Sequence, residues 1–419
     1  MCILIVTATE VWAGEAQQPA AEKLLRQGLV ALDRDELAEA RRNLEAASKL
    51  APGEARIWLG LAQTYLKSGL RELADRMAAR AASLGGKDPL MQRGLAIIYT
   101  EAGQWEQAGR FEAAFAAATQ DRDAAVRAVM LFLQAGRADA AIETAQRALA
   151  TDNHAKLWNA LGKAYRIAAD PGKALEAFQE AIRLDPYREE YYFDLAQLLM
   201  AHHNFDVAIC VLEASKRIIA GSAQLELALG VAYYGQRRFR EAVDSFLRTM
   251  ELAPEVTQPY LYLARILEHG ADRMPEIRSR YAAYAAANPK DPAAHFLYAK
   301  VLIATLPPAA YPAEAVEAEA LLRRALELKA DDWEPHYLLG ILLERKGNAQ
   351  AAAAALERSA ELSPDNPAPH LPLARVYLAL GRKEEAHRHR ALFRELTLKQ
   401  EKAIEDRAAS LKKLRLTVK

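Results

Sequence analysis

The sequence predicts an all-α protein built as a stack of about eleven helix-turn-helix units. Three observations carry that reading. Alanine runs through the whole chain beside Leu, Glu and Arg, a helix-forming composition. β-Branched residues are sparse and never alternate over a strand-length run. A fixed set of large and small apolar positions recurs about every 33 to 35 residues along most of the 419.

The chain opens on a segment of a different kind, residues 1–20. Cys2 to Ala8 is a short apolar stretch, and Val11-Trp12-Ala13 places small residues where a signal peptidase would cut. This reads as the end of a signal peptide whose start codon is set too late, and it places the protein outside the cytoplasm, periplasmic or secreted. No Lys or Arg precedes the apolar stretch, so the alternative is a disordered tail on a cytoplasmic protein. No other segment approaches the ~20 consecutive apolar residues of a membrane span.

From residue 21 to residue 398 the repeat takes over. Unit starts fall at Ala21, Ala55, Pro89, Arg122, Ala155, Glu189, Ala223, Thr257, Pro292, Trp333 and Pro367. The first two units carry Leu24, Gly28, Ala40, Leu44, Ala47 and Pro52, then Trp58, Leu61, Ala62, Tyr65, Ala74 and Ala81. The central unit is the clearest, with Trp158, Leu161, Gly162, Tyr165, Ala174, Phe178, Ala181 and Pro186. Its Trp, Leu and Tyr form one stripe on a first helix, Gly162 and Ala174 are small where two helices approach, and Pro186 stops the second helix. Later copies follow at Glu226, Leu229, Gly230, Tyr233, Ala242, Phe246 and Pro254, and at His336, Leu339, Gly340, Leu343, Ala352, Leu356 and Pro364. Weaker ones centre on Tyr99 with Ala108, Phe132 with Ala141, Leu195 with Ala208, Leu263 with Pro289, Ala299 with Ala325, and Leu373 with Ala386.

The spacing Trp-x2-Leu-Gly-x2-Tyr, Ala-x3-Phe, Pro resembles the tetratricopeptide repeat, and the resemblance covers nearly the whole chain. It implies a right-handed α-solenoid of helix pairs, with the first helix of each pair lining a concave groove and a polar helix closing the end. Residues 382–415 read as the last unit with that capping helix, and 416–419 as a basic tail. The unit starting at Pro292 is about seven residues too long. Its excess, around Thr305 to Pro312 with Pro307, Pro308 and Tyr311, reads as a loop between the two helices and a candidate contact site.

With packing at unit positions 4, 7, 8 and 11, positions 2, 5, 9 and 12 are rotated by roughly 130° towards the expected groove. In the central unit these are Lys156, Asn159, Lys163 and Arg166, a stripe of cations and an amide that gains nothing from core packing. Neighbouring units offer Phe193, Gln197 and Met200, then Val231 and Tyr234, with Arg265 and Lys300 further on. Apolar walls with scattered cations suit a peptide or helix that presents hydrophobic anchors with acidic residues between them. Some relatives of this family clamp a C-terminal carboxylate through a set of Lys, Asn and Arg. Glu190, Phe193 and Gln197 depart from that set.

Chemical sites find no support. The 55 basic residues balance 55 acidic ones, which argues against nucleic acid as partner. Cys2 and Cys210 are isolated, so neither a disulfide framework nor structural zinc is expected. His295, His336 and His370 share the fourth position of the last three units. Successive units stand ~8–10 Å apart, too far for one metal, so they read as amphipathic replacements for Trp. No phosphate loop, nucleophile elbow or HExxH occurs. The expectation is a non-enzymatic scaffold or adaptor for a protein or peptide partner, without cofactor or metal. The alternatives are an envelope-assembly or secretion helper docked at a membrane through the basic C-terminal helix, and a regulatory subunit of a separate enzyme.

Overall fold

The computed structural model describes residues 19–307 and 311–411, with side chains through 406. The readings made on the N-terminal segment, on Pro308 and on the basic tail fall outside these residues. Among the described residues there are twenty-two α-helices and no strand. The chain forms two compact units, divided inside one helix between Asp194 and Leu195.

The first unit contains five helix pairs. They are α1 (Pro19–Asp33) with α2 (Leu37–Leu50), α3 (Ala55–Lys67) with α4 (Arg71–Gly85), and α5 (Pro89–Glu101) with α6 (Trp105–Thr119). Next come α7 (Arg122–Gln134) with α8 (Ala138–Leu149), α9 (Ala155–Ile167) with α10 (Pro171–Leu184), and the start of α11 (Glu189–Ala201). The second unit continues from α11 through α12 (Phe205–Lys216), α13 (Ala223–Gly235) and α14 (Phe239–Leu252). There follow α15 (Gln258–Leu263), a 3-10 segment (Leu267–Arg273), α16 (Met274–Ala287), α17 (Pro292–Ala304) and α18 (Ala313–Leu328). The last helices are α19 (Trp333–Arg345), α20 (Ala349–Leu362), α21 (His370–Ala379) and α22 (Lys383–Leu411).

Local chemistry explains these boundaries. The residue before most first helices is a capping acceptor: Asp88, Asp121, Ser222, Asp291 and Asp332 each take a backbone N–H of the first turn at 3.0–3.2 Å. The turn inside a pair is made by one left-handed residue at unit position 15. Gly69, Gly103, Gly136, Gly347 and Gly381 fill it with φ between 71° and 82°. Asp35, Ala169, His203 and Arg237 occupy the same place with φ of 57–62°. Ala169 and Arg237 are exposed, so a side chain there strains the backbone without burying surface. Ala169→Gly and Arg237→Gly are each expected to stabilise the chain by about 0.5–1 kcal/mol, the relief of the left-handed penalty outweighing the looser unfolded chain. A raised midpoint in chemical denaturation checks this, and an unchanged or lowered one for both contradicts it.

Pairs are tied to one another by a second set of fixed positions. At position 4 the Trp58 indole donates to the Pro52 carbonyl at 2.9 Å, across the preceding inter-unit turn. His295 and His336 place Nε2 at 3.0 Å from the carbonyls of Pro289 and Ala330, also six residues back. These two imidazoles therefore make the bond of the indole they replace. At position 11 the hydroxyls of Tyr65, Tyr233 and Tyr377 donate to Glu45, Glu213 and Glu357, each on the second helix of the preceding pair.

The eighth unit departs from a regular helix pair. Its first helix stops at Leu263, the chain tightens to i→i+3 bonds such as Ile266 N–H to the Leu263 carbonyl, and Gly270 leaves helical geometry. Long-range packing holds this path: buried Tyr281 donates to the Tyr260 carbonyl at 2.6 Å, and Tyr284 stacks on Tyr260 at 4.1 Å. In the ninth unit residues 305–312 separate α17 from α18.

Candidate partner-binding site

Three successive first helices of the first unit, α7, α9 and the start of α11, share one depression of about 390 Å³. Its lining includes Asp123, Val126 and Met130 from α7, Lys156, Asn159 and Lys163 from α9, and Glu190 and Tyr191 from α11. Most of these are unit positions 2, 5 and 9, so Lys156, Asn159 and Lys163 do meet on one surface. Met130 is 43% exposed there, an apolar contact point open to solvent.

The charge of that surface differs from a bare cationic stripe. Lys156 pairs with Asp123 at 2.9 Å, and Lys163 with Glu190 at 2.5 Å and Asp194 at 3.2 Å. Asn159 is buried and donates to the same Asp194 carboxylate at 2.8 Å. Burial works against the Lys163 charge, yet the Glu190 and Asp194 carboxylates outweigh it and raise its pKa above the ordinary value. The hydrogen bond from Lys156 similarly lowers the Asp123 carboxyl. Two of the three cations of the stripe, Lys156 and Lys163, are therefore paired with carboxylates of the adjoining helices. Counting along one helix misses carboxylates at positions 2 and 6 of the adjoining helices; overlaying consecutive units would have brought them into view. Arg166 is exposed and, among the described residues, makes no ion pair.

The remaining predicted residues are dispersed. Phe193 is half-buried in the first unit, and Gln197, Met200 and Val231 are half-buried in the second. Tyr234 packs edge-on to Phe239 at 5.7 Å and Tyr262 at 5.4 Å, inside an aromatic cluster. Arg265 and Lys300 line a second depression of about 580 Å³ with Leu267, Met274 and Ile303. There Arg265 is exposed, whereas Lys300 pairs with Glu334 at 2.7 Å and lies over the Phe296 ring. At the loop, Pro307 is exposed, while Tyr311 donates to buried Glu319 and sits under the Lys346 ammonium at 5.4 Å.

At the C-terminus the expected capping stripe is shorter than its sequence pattern. Phe393 is half-buried and Leu396 buried, but residues 398–406 are all exposed, Ala403 and Ile404 included. That stretch carries Glu401, Glu405 and Asp406 against Lys399 and Lys402, and Lys399 is already paired with Asp365 at 2.7 Å. Its described part is thus not basic. No described helix is long and apolar enough to cross a membrane.

The chain is similar to several known proteins. Among curated proteins, anaphase-promoting complex subunit 3 of Schizosaccharomyces pombe is 30% identical over 129 residues, 30% of this chain. The match spans only 19% of that protein's length. Among solved structures, yeast Tom70 is similar at 16% identity and a TM-score of 0.38, over 94% of this chain and 95% of that one. YrrB, described as a TPR protein with an unusual peptide-binding site, is similar at 18% identity and a TM-score of 0.39, over 46% and 96% of the two chains. Tetratricopeptide-repeat models match residues 31–98, 155–188, 225–260, 317–367 and 343–400, together more than half of the chain. With these matches and the helix pairs that carry the motif, the chain belongs to the tetratricopeptide-repeat family.

Proposed function

We propose that this protein is a non-enzymatic scaffold that holds an extended or helical segment of a partner protein along α7, α9 and the start of α11. The observation that carries the reading is the shared depression lined by three successive first helices, with Met130 exposed beside half-buried Val126. Such a surface supplies an apolar anchor point on rigid elements, the arrangement that peptide recognition by helical grooves requires. The curated relative is by its name a subunit of a protein complex, which supports the same class over the 129 matched residues.

Because Lys156 and Lys163 are already neutralised, apolar anchors supply most of the binding energy and the charges set register. A photo-crosslinking residue at position 130 is expected to capture a partner in the native host, whereas one at exposed Arg147 on α8 is not. For the partner so identified, Met130→Glu is expected to weaken affinity at least about tenfold and Lys156→Glu by less than about threefold. Equal capture at both positions, or the reverse order of the two substitutions, would remove this reading.

A further inference from the structure

The contact between α21 and α22 contains two buried histidines. His370, the first residue of α21, is 5% exposed, and His389 on α22 is 8% exposed. Their Nδ1 atoms lie 2.9 Å apart and their rings stack at 5.1 Å. Two imidazole nitrogens at this distance hold one proton between them, donated by one ring and accepted by the other. A second proton sets two N–H groups against each other and buries two cations.

The surroundings offer little to absorb that charge. On α20 the Glu357 carboxylate already takes the Tyr377 hydroxyl of α21, whose ring lies 5.4 Å from His389. On α22 Glu385 is committed to Arg382, which also lies over the Tyr377 ring, and Arg388 adds a like charge. Burial lowers the pKa of both rings from the ordinary 6.5, and the charges of His370 and Arg388 lower His389 further, outweighing the opposite pull of the Glu357 and Glu385 carboxylates. The helix has few other holds, because Ala386, His389 and Leu396 are its only buried residues among those with described side chains.

We propose that the His370–His389 pair is an acid-sensitive latch: when both rings take protons, the capping helix α22 is released and the face of α21 beneath it is uncovered. Both rings are neutral in the closed state, so closure is fully stable above the ordinary imidazole range and weakens as pH falls through it.

Hydrogen exchange of the full chain at pH 7 and pH 5, corrected for the intrinsic rate, tests this. Each ring that protonates only when released raises the open fraction by about 25-fold between those pH values, and two rings by about 600-fold. Protection of residues 383–397 is therefore expected to fall by about 25- to 600-fold, while α19 and α20 keep theirs. In His370→Phe/His389→Phe, which keeps aromatic rings and removes the titration, protection is expected to be pH-independent. A histidine NMR titration of the wild type guards against a variant that docks poorly, because both rings are expected to titrate together with the loss of protection. Unchanged wild-type protection at pH 5, ring titration separate from helix release, or an undiminished acid effect in a docked double variant would overturn the proposal.

Discussion

Replacing Phe246 with Ala is expected to destabilise the second unit by about 3–5 kcal/mol. Phe246 is fully buried and stacks on Tyr262 at 5.4 Å, so truncation removes both transfer energy and a ring contact. Its position depends on a glycine across the pair. A Cβ on Gly230 would lie 2.6 Å from Phe246 Cε1, closer than packed carbon atoms approach. Gly230→Ala alone therefore forces the ring aside, and overpacking of about 1–3 kcal/mol, offset in part by better helix propensity, leaves a net loss of about 1–2 kcal/mol. In Gly230→Ala/Phe246→Ala the new methyl enters the vacated space, and the combined loss is expected to fall short of the sum by about 1–2 kcal/mol. Denaturant unfolding, with hydrogen exchange of α13 and α14 as the local readout, measures all three. Strict additivity would show that Gly230 is small for another reason.

The pairing of Gly230 with Phe246 is legible in the sequence because the small residue and the ring recur together. Gly162 faces Phe178 and Gly340 faces Leu356, with Cβ clearances of 2.6 and 2.5 Å. A fixed residue type at a fixed spacing reports a local requirement repeated in each pair, and the all-α repeat fold follows from it. Departures from the rule are harder to read. The eighth unit keeps Leu263 in register, yet its first helix ends there, and buried Tyr281, eighteen residues on, reaches back to donate to the Tyr260 carbonyl. Nothing in the local sequence around Tyr260 marks that bond.

The candidate site shows the same division. Lys156, Asn159 and Lys163 are legible as one stripe, since helical periodicity fixes which side chains share a face. Their electrostatic state is not, because it depends on Asp123, Glu190 and Asp194 from other helices. Tyr311 illustrates it again. The prolines around it reveal a break between helices, but Glu319, which holds its hydroxyl, lies within the next helix and looks like one more solvent-facing carboxylate.

Glu319 is where that missing information has its largest consequence for stability. The residue is 8% exposed and accepts from Tyr311, from Lys346 at 2.9 Å and from Arg323 at 2.8 Å. Burial disfavours its charge, but these three donors outweigh the penalty and bring its carboxyl from the ordinary 4.5 down to about 2. A carboxyl lowered on folding stabilises the native state fully above its unfolded value, and the gain disappears as pH falls from about 4.5 to about 2. Lys346 and Arg323 are half-exposed, so solvent screening reduces the gain to about 1–2 kcal/mol. Glu319→Gln keeps the shape and discards the charge. Wild type is therefore expected to exceed it by about 1–2 kcal/mol at pH 6 and to match it near pH 2, with faster exchange of α18 amides in the variant at pH 6. Comparing the two proteins at each pH cancels the titration of every other carboxylate, so the closing gap belongs to Glu319. A gap that stayed constant from pH 6 to pH 2 would mean that the loop is held by packing of Tyr311 rather than by the charge beneath it.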